Sequence, residues 1–356
     1  MSRFFTDRLA ALTPYVPGEQ PQDRKYLKLN TNESPFPPAP GVARAADEEA
    51  GKAQLYSDPE SAALRRALGE RYGLEPERIA VSNGSDEVLN YAFIAFGDEN
   101  APLIFPDITY GFYPVFAELN RIPYRTVPLD GDFRIRPEDY YDSGSTVVLA
   151  NPNAPTGIAL EPEEIEGILR HNRDHVVLVD EAYVDFGGRS ALPLLEKYDN
   201  LLIVQTFSKS RSMAGMRIGF AIGSEDLIRA MSDVRYSINS YTMNRTALAA
   251  GKAAVEDEDY FRETVKRVVK TRENAAKRLR ELGFHFCEPC ANFIFAEHSH
   301  VPAEELFEAL RGSDIYVRHF KDERIRNYLR ITIGTDEEME ELFRFLEGYL
   351  RGADST

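Results

Sequence analysis

Five short apolar runs separated by helical patterns constrain the fold more than any other feature of the sequence. They are Ile79-Ala80-Val81, Leu103-Ile104-Phe105, Val147-Val148-Leu149, Val176-Val177-Leu178-Val179 and Leu201-Leu202-Ile203-Val204. Runs this short and this uniformly apolar read as strands buried on both faces. Between them lie segments with helical patterning, such as 61–72 and 88–96. The alternation predicts an α/β fold with a mostly parallel sheet between helices over about residues 42–240. At 356 residues, 43% of them apolar, the chain has enough material for this large unit and a smaller one, each with its own core, which excludes general disorder.

Either side of that unit the pattern changes. Residues 1–40 are rich in proline and asparagine, carry little periodicity and read as an extended arm that crosses another surface. At the other end, Tyr260, Phe261, Val265, Val268, Val269, Ala275, Ala276, Leu279 and Leu282 recur near helical spacing, with Gly283 as the stop. This long helix, about 257–282, is expected to link two domains. Strands at Phe293-Ile294-Phe295 and Leu329-Arg330-Ile331-Thr332-Ile333 and helices over 303–310 and 336–349 complete a smaller α+β unit, and Thr335 with Glu338 forms a capping box before the last helix. The expected organisation is an arm at 1–40, a large domain at 41–245 and a small C-terminal domain at 246–356.

The net charge of −16 argues against nucleic acid and anionic membrane surfaces as partners, since both require clustered Lys and Arg. No apolar stretch approaches the ~18 residues that cross a bilayer. The start, Met1-Ser2-Arg3-Phe4-Phe5-Thr6-Asp7, lacks a signal-like apolar region, and two cysteines cannot build a disulfide framework, so the cytoplasm is the expected location. Cys287-Glu288-Pro289-Cys290 has CxxC spacing but precedes an expected strand rather than a helix, which disfavours a redox motif. The pairs His298/His300 and His171/His175 lack a third ligand at a recognisable spacing, so no metal is expected.

Chemistry concentrates where the apolar runs end. After 201–204 comes Thr206-Phe207-Ser208-Lys209, with Arg217-Ile218-Gly219-Phe220 following. A lysine held at a strand end suits imine formation with a cofactor aldehyde, beside a serine and an arginine that suit a phosphate. The run 176–179 delivers Asp180-Glu181-Ala182-Tyr183, and 147–149 leads to Asn151-Pro152-Asn153-Ala154-Pro155-Thr156-Gly157. Ser82-Asn83-Gly84-Ser85-Asp86-Glu87 joins a strand to a helix and presents backbone N–H groups to an anion. Taken singly, each has a plainer reading: a surface lysine, an acid capping a turn, a glycine cap, a proline-shaped loop.

Together these segments resemble the fold type I aminotransferases that use pyridoxal 5'-phosphate. The likeness is greatest to the histidinol-phosphate aminotransferases and extends over nearly the whole chain. It is carried further by Pro14-Tyr15-Val16-Pro17-Gly18, Lys28-Leu29-Asn30-Thr31-Asn32-Glu33-Ser34-Pro35, Ile315-Tyr316-Val317-Arg318 and Tyr328-Leu329-Arg330-Ile331-Thr332-Ile333-Gly334-Thr335. The resemblance implies a seven-stranded sheet in the large, cofactor-binding domain. It implies Lys209 as the catalytic amine, Asp180 against the pyridine nitrogen, and Tyr183 and Asn153 near the phenolic oxygen. Tyr110 would stack on the ring, and Gly84, Ser85, Asp86, Ser208 and Arg217 would hold the phosphate. Tyr56 would reach the phosphate of a neighbouring subunit, hence a homodimer.

For substrate, the resemblance implies Tyr15, Asn32, Arg318 and Arg330, and transfer of an amino group between glutamate and imidazole-acetol phosphate, giving 2-oxoglutarate and histidinol phosphate. Planar guanidinium forks match a carboxylate and a phosphate alike. Where the family often reads Asn-Pro-Tyr-Gly-Pro in the arm, this chain has Ser34-Pro35-Phe36-Pro37-Pro38. That departure keeps open an aromatic amino-acid aminotransferase, beside the more distant threonine-phosphate decarboxylase and non-catalytic pyridoxal-phosphate binder. The imidazole-reading residue is not identified.

Overall fold

The computed structural model describes residues 3–6, 9, 12–23 and 25–353; residues 1, 2, 7, 8, 10, 11, 24 and 354–356 lie outside the description. The strands are β1 (Leu27–Lys28), β2 (Ile79–Ser82), β3 (Leu103–Pro106), β4 (Tyr124–Val127), β5 (Thr146–Ala150), β6 (Val177–Asp180), β7 (Leu201–Thr206), β8 (Gly219–Ile222), β9 (Phe284–His285), β10 (Phe293–His298), β11 (Ile315–Tyr316), β12 (Arg318–His319) and β13 (Leu329–Thr332). The helices are α1 (Pro40–Ala50), α2 (Ala62–Tyr72), α3 (Ser85–Phe96), α4 (Phe112–Asn120), α5 (Pro162–His171), α6 (Glu225–Ile238), α7 (Arg245–Glu256), α8 (Glu258–Glu281), α9 (Ala303–Gly312) and α10 (Asp336–Ala353).

All five apolar runs form strands of one seven-stranded sheet, in the order β2-β8-β7-β6-β5-β3-β4. Only β8 runs against its neighbours; the others are parallel. Successive residues of a strand point to opposite faces, and the core divides accordingly. Val147, Leu149, Val177, Val179, Leu201 and Ile203 join one cluster with α2, α5 and α7. Val148, Leu178, Leu202 and Val204 join another with α3, α4 and α6. Burial of each such side chain contributes about 1.5–3 kcal/mol, so coverage of both faces stabilises the sheet that carries the site.

A third cluster lies in the C-terminal part, where α8, α9 and α10 pack on the antiparallel sheet β12-β13-β10-β9. Asp257 caps α8 by accepting from Tyr260 N, and Gly283 at φ +85° ends it. The Thr335–Glu338 capping box forms with both reciprocal bonds, at 2.7 and 3.2 Å. The arm is extended, and it packs closely. Through β1 it adds a parallel strand to β11, and Leu27, Leu29, Asn30 and Asn32 are buried there. Among the described residues no helix is long and apolar enough to cross a membrane.

Candidate active site

In an open α/β sheet the strands' carboxyl ends form the binding edge, and the strand register brings the candidate residues to that edge here. Asp180 closes β6 and Thr206 closes β7, and Thr206 pairs with Gly219 at the start of antiparallel β8. Gly219 also pairs with Ser82 at the end of β2. Lys209, Arg217 and the Gly84-Ser85 turn, distant in sequence, therefore converge. They line a cavity of about 340 Å³ with Thr31, Glu33, Asp86, Tyr110, Asp180, Tyr183 and Ser208, a volume in the range of small-molecule sites.

The phosphate end of the cavity is built on close backbone approach. Gly84 has φ +87°, and a Cβ there would meet Arg217 Nη2 at 2.5 Å. A Cβ on Gly219 would meet Ser85 N at 2.3 Å. Helix α3 begins at Ser85, so its unpaired first-turn N–H groups face the cavity. Arg217, itself at φ +52°, donates to Ser208 Oγ at 3.5 Å and to Asp86 Oδ2 at 3.1 Å. Asp86 also accepts from Tyr110 Oη at 2.7 Å. A cation, a hydroxyl and helix N–H groups around a space that no side chain fills fit the phosphate of pyridoxal phosphate.

Asp180 lines the same cavity. Tyr113 Oη donates to its Oδ2 at 2.9 Å and Ala182 N to its Oδ1 at 3.2 Å. Burial nevertheless pushes its carboxyl up to about 6, against the lowering effect of those bonds. The Tyr113 phenol is pushed well up, first by burial and then by Asp180, and so stays a donor. A carboxylate in so dry a place is short of a cation, which a protonated ring nitrogen supplies. Lys209 Nζ donates to Thr31 O at 3.0 Å and lies 5.7 Å from the Tyr183 ring centroid. Behind it, Ser210 Oγ donates to Asp185 Oδ2 at 2.6 Å.

Burial also raises Glu181, to about 7, and Asp185. These three acids bind more protons folded than unfolded, so their contribution to stability is full below the unfolded values near 4 and is lost as pH rises through about 7. The cofactor-free protein is expected to lose roughly 5 °C in Tm between pH 5 and pH 8, measured by calorimetry. Pyridoxal phosphate is expected to reduce that loss by placing a cation against Asp180.

The substrate-side arginines meet through the small sheet. Arg318 on β12 pairs directly with Arg330 on β13, which puts both side chains on one face, where like charges repel. Neither has a carboxylate partner among the described residues. Arg330 donates one bond, to Asn30 O at 3.0 Å, and its buried Nε has no partner. Burial lowers its pKa, and Arg318 adds to that effect. Arg318 donates to the carbonyls of Val16 and Pro17, at 3.2 and 3.4 Å, and lies 5.8 Å from the Phe320 ring centroid. Tyr15 stacks on Phe112 at 4.3 Å beside Gly111.

Other candidates stand back from the cavity. Asn153 gives its amide hydrogens to Ile108 O and Thr156 Oγ1 and accepts from Thr109 Oγ1, so it shapes the 151–157 loop and must change partners to reach a ligand. Asn32 donates to Tyr183 Oη at 2.9 Å and accepts from Thr332 Oγ1 at 2.9 Å, tying the arm to β13 and to the segment that follows β6. Tyr56 is 79% exposed and stacks on Tyr241, away from its own chain's cavity. Phe36 packs under Arg267 at 4.1 Å, and Pro37 O accepts from Tyr260 Oη. Phe36 and Pro37 therefore face α8, and neither is among the residues that line the cavity with Lys209. Cys287 and Cys290 are free thiols raised by burial.

Tyr113, Thr31 and Glu33 were not anticipated as part of the site. For Tyr113 a signal existed, because Tyr110 and Tyr113 stand three residues apart, the spacing of one helix face.

The family model for class I and II aminotransferases matches residues 24–346. The chain is 51% identical over 346 residues to a histidinol-phosphate aminotransferase of a Marinomonas species, covering 96% of this chain and 98% of the relative. It is 49% identical over 356 residues to that of Aromatoleum aromaticum, covering 99% and 100%. Among solved structures it resembles histidinol-phosphate aminotransferase from Sinorhizobium meliloti in complex with pyridoxal-5'-phosphate, with TM-score 0.90, 26% identity and 99% of each chain covered.

Proposed function

The chain belongs to the class I and II aminotransferase family, and from that premise we propose that it transfers an amino group from glutamate to imidazole-acetol phosphate, yielding 2-oxoglutarate and histidinol phosphate in histidine biosynthesis. The cofactor is pyridoxal phosphate, which, when bound, supplies an aldehyde carbon for the amino group and a ring that accepts electrons. The observation that carries the substrate reading is the Arg318–Arg330 pair: two guanidinium groups on one face, with no carboxylate partner among the described residues, one with a buried unpartnered Nε. Such a pair holds a carboxylate in one half-reaction and a phosphate ester in the other.

The chain's residues divide the work. Ser208, Arg217 and the first turn of α3 would anchor the cofactor phosphate, and Asp180 would hold the proton on the ring nitrogen. Lys209 would move the proton at the substrate's Cα. Tyr110 would stack on the ring, and Tyr183, held by Asn32, would orient its phenolic side. Arg330 and Arg318 fix the substrate anion, with Tyr15 closing over it.

The protein works as a homodimer in which Tyr56 completes the neighbour's phosphate site. The exposed apolar side chains Leu55, Tyr56, Ile238 and Tyr241 support this reading, since a patch of this kind is a surface for a second copy. The cytoplasmic location expected from the sequence belongs to the same proposal.

A half-reaction experiment tests the assignment. With pyridoxal phosphate bound, histidinol phosphate is expected to change the cofactor absorbance with a kcat/KM at least ~100-fold above that of phenylalanine. A preference for phenylalanine moves the assignment to an aromatic aminotransferase. Carbon dioxide release from O-phosphothreonine moves it to a decarboxylase.

A further inference from the structure

The groups assigned so far hold the two phosphates and the reacting atoms, and none of them reads the imidazole ring. Three carboxylates line the cavity: Asp86, Asp180 and Glu33. Asp86 is engaged by Arg217 and Tyr110, and Asp180 is buried against Tyr113. Glu33 differs from both. It stands on the arm, two residues from the Thr31 carbonyl that accepts from Lys209, and its side chain is 40% exposed. It also lines an adjoining cavity of about 400 Å³ with Lys28, Ser34, Ser208 and Ser212. Glu33 thus marks the junction of the two spaces, beside the catalytic amine.

Its charge is held in place. Lys28 Nζ lies 2.8 Å from Oε1 and 2.7 Å from Oε2, and Thr31 Oγ1 donates to Oε2 at 2.7 Å. Burial raises this carboxyl, but the bonds from Lys28 and Thr31 outweigh it and leave the group below the usual carboxylate value. An ionised carboxylate accepts at roughly four positions, so these contacts leave acceptor capacity free toward the cavity.

Resting on the function proposed above, we propose that Glu33 is the specificity-determining residue for the substrate's side chain, accepting a hydrogen bond from an imidazole N–H. A phenyl ring in the same place offers no donor and strips water from a carboxylate that then lacks a partner. Glu33 thereby favours an amino donor with a nitrogen heterocycle over one with a plain aromatic ring.

The test compares Glu33→Met, which keeps the side-chain length but has no oxygen acceptor, with wild type, both loaded with pyridoxal phosphate, in half-reactions with histidinol phosphate and with phenylalanine. The expected result is a loss of about 20- to 100-fold in kcat/KM for histidinol phosphate, mostly in KM, with phenylalanine within about twofold. Equal losses with both substrates overturn the proposal, because they show that the residue only positions the arm. Lys28→Ala removes the pin but keeps the carboxylate and is expected to retain the preference for histidinol phosphate. Loss of that preference in Lys28→Ala as complete as in Glu33→Met also overturns it. Wild-type protein inert to histidinol phosphate sinks the functional reading itself, and shows this before any variant is compared.

Discussion

Replacing Lys209 with alanine is expected to lower turnover by at least ~10⁴-fold with either amino donor, since in the proposed function one amine both attaches the cofactor and moves the proton. The fold should survive. The side chain's hydrogen bond goes to Thr31 O, and the neighbouring backbone is held independently by the Ser210–Asp185 bond and by Phe207 N donating to Ile218 O. Pyridoxal phosphate should still bind, because Ser208, Arg217 and the start of α3 do not depend on the amine. It should, however, no longer be fixed to the chain by borohydride, which mass spectrometry reads directly. Lys209→Arg is the stricter variant: it keeps a cation at the position but cannot condense with an aldehyde or give up a proton near neutral pH, so it too should be inactive. Activity within tenfold of wild type in either variant would remove Lys209 from the mechanism.

Much of this site was legible because its parts stand at the ends of strands whose apolar runs announce themselves. Val179 is followed by Asp180, and Val204 by Thr206, Ser208 and Lys209; a strand buried on both faces has a definite end, and the sheet aligns those ends on one edge. What depends on register was not legible. Nothing in the sequence shows that Arg318 lies opposite Arg330, since strand pairing is decided by three-dimensional packing over residues far apart in the chain. Nor does composition show that the amide of Asn153 is engaged within its own loop, or that Phe36 faces Arg267. The arm was hardest to read. It lacks periodicity because it follows the surfaces of other elements, one side chain at a time. Its site residues, Thr31, Asn32 and Glu33, take their roles from contacts with Lys209, Tyr183 and Lys28.

Asp180→Asn is expected to reduce kcat by roughly 10³-fold with little change in KM. The substitution preserves size and leaves an amide oxygen that still accepts from Tyr113; it gives up the bond from Ala182 N to the other oxygen, while the apolar packing around β6 stays in place. What it removes is charge in a place where charge counts heavily: the carboxylate is buried, and the low dielectric there strengthens its attraction for a cation on the ring nitrogen. A neutral amide cannot hold that proton, and the bound ring becomes a poorer acceptor of electrons in the proton-transfer step. In the proposed function Arg330 and Arg318 hold the substrate anions, which is why affinity should be spared. Tyr113→Phe provides the graded comparison. Losing the phenol removes a bond that lowers the Asp180 carboxyl, so its pKa should rise above about 6 in the cofactor-free chain, and a larger fraction of the protein should present a protonated, less useful acid as pH falls. Cofactor affinity measured from pH 5 to pH 8 should therefore weaken toward acid more steeply in Tyr113→Phe than in wild type. In Asp180→Asn the part of that slope due to Asp180 should vanish, because the group that titrates is gone.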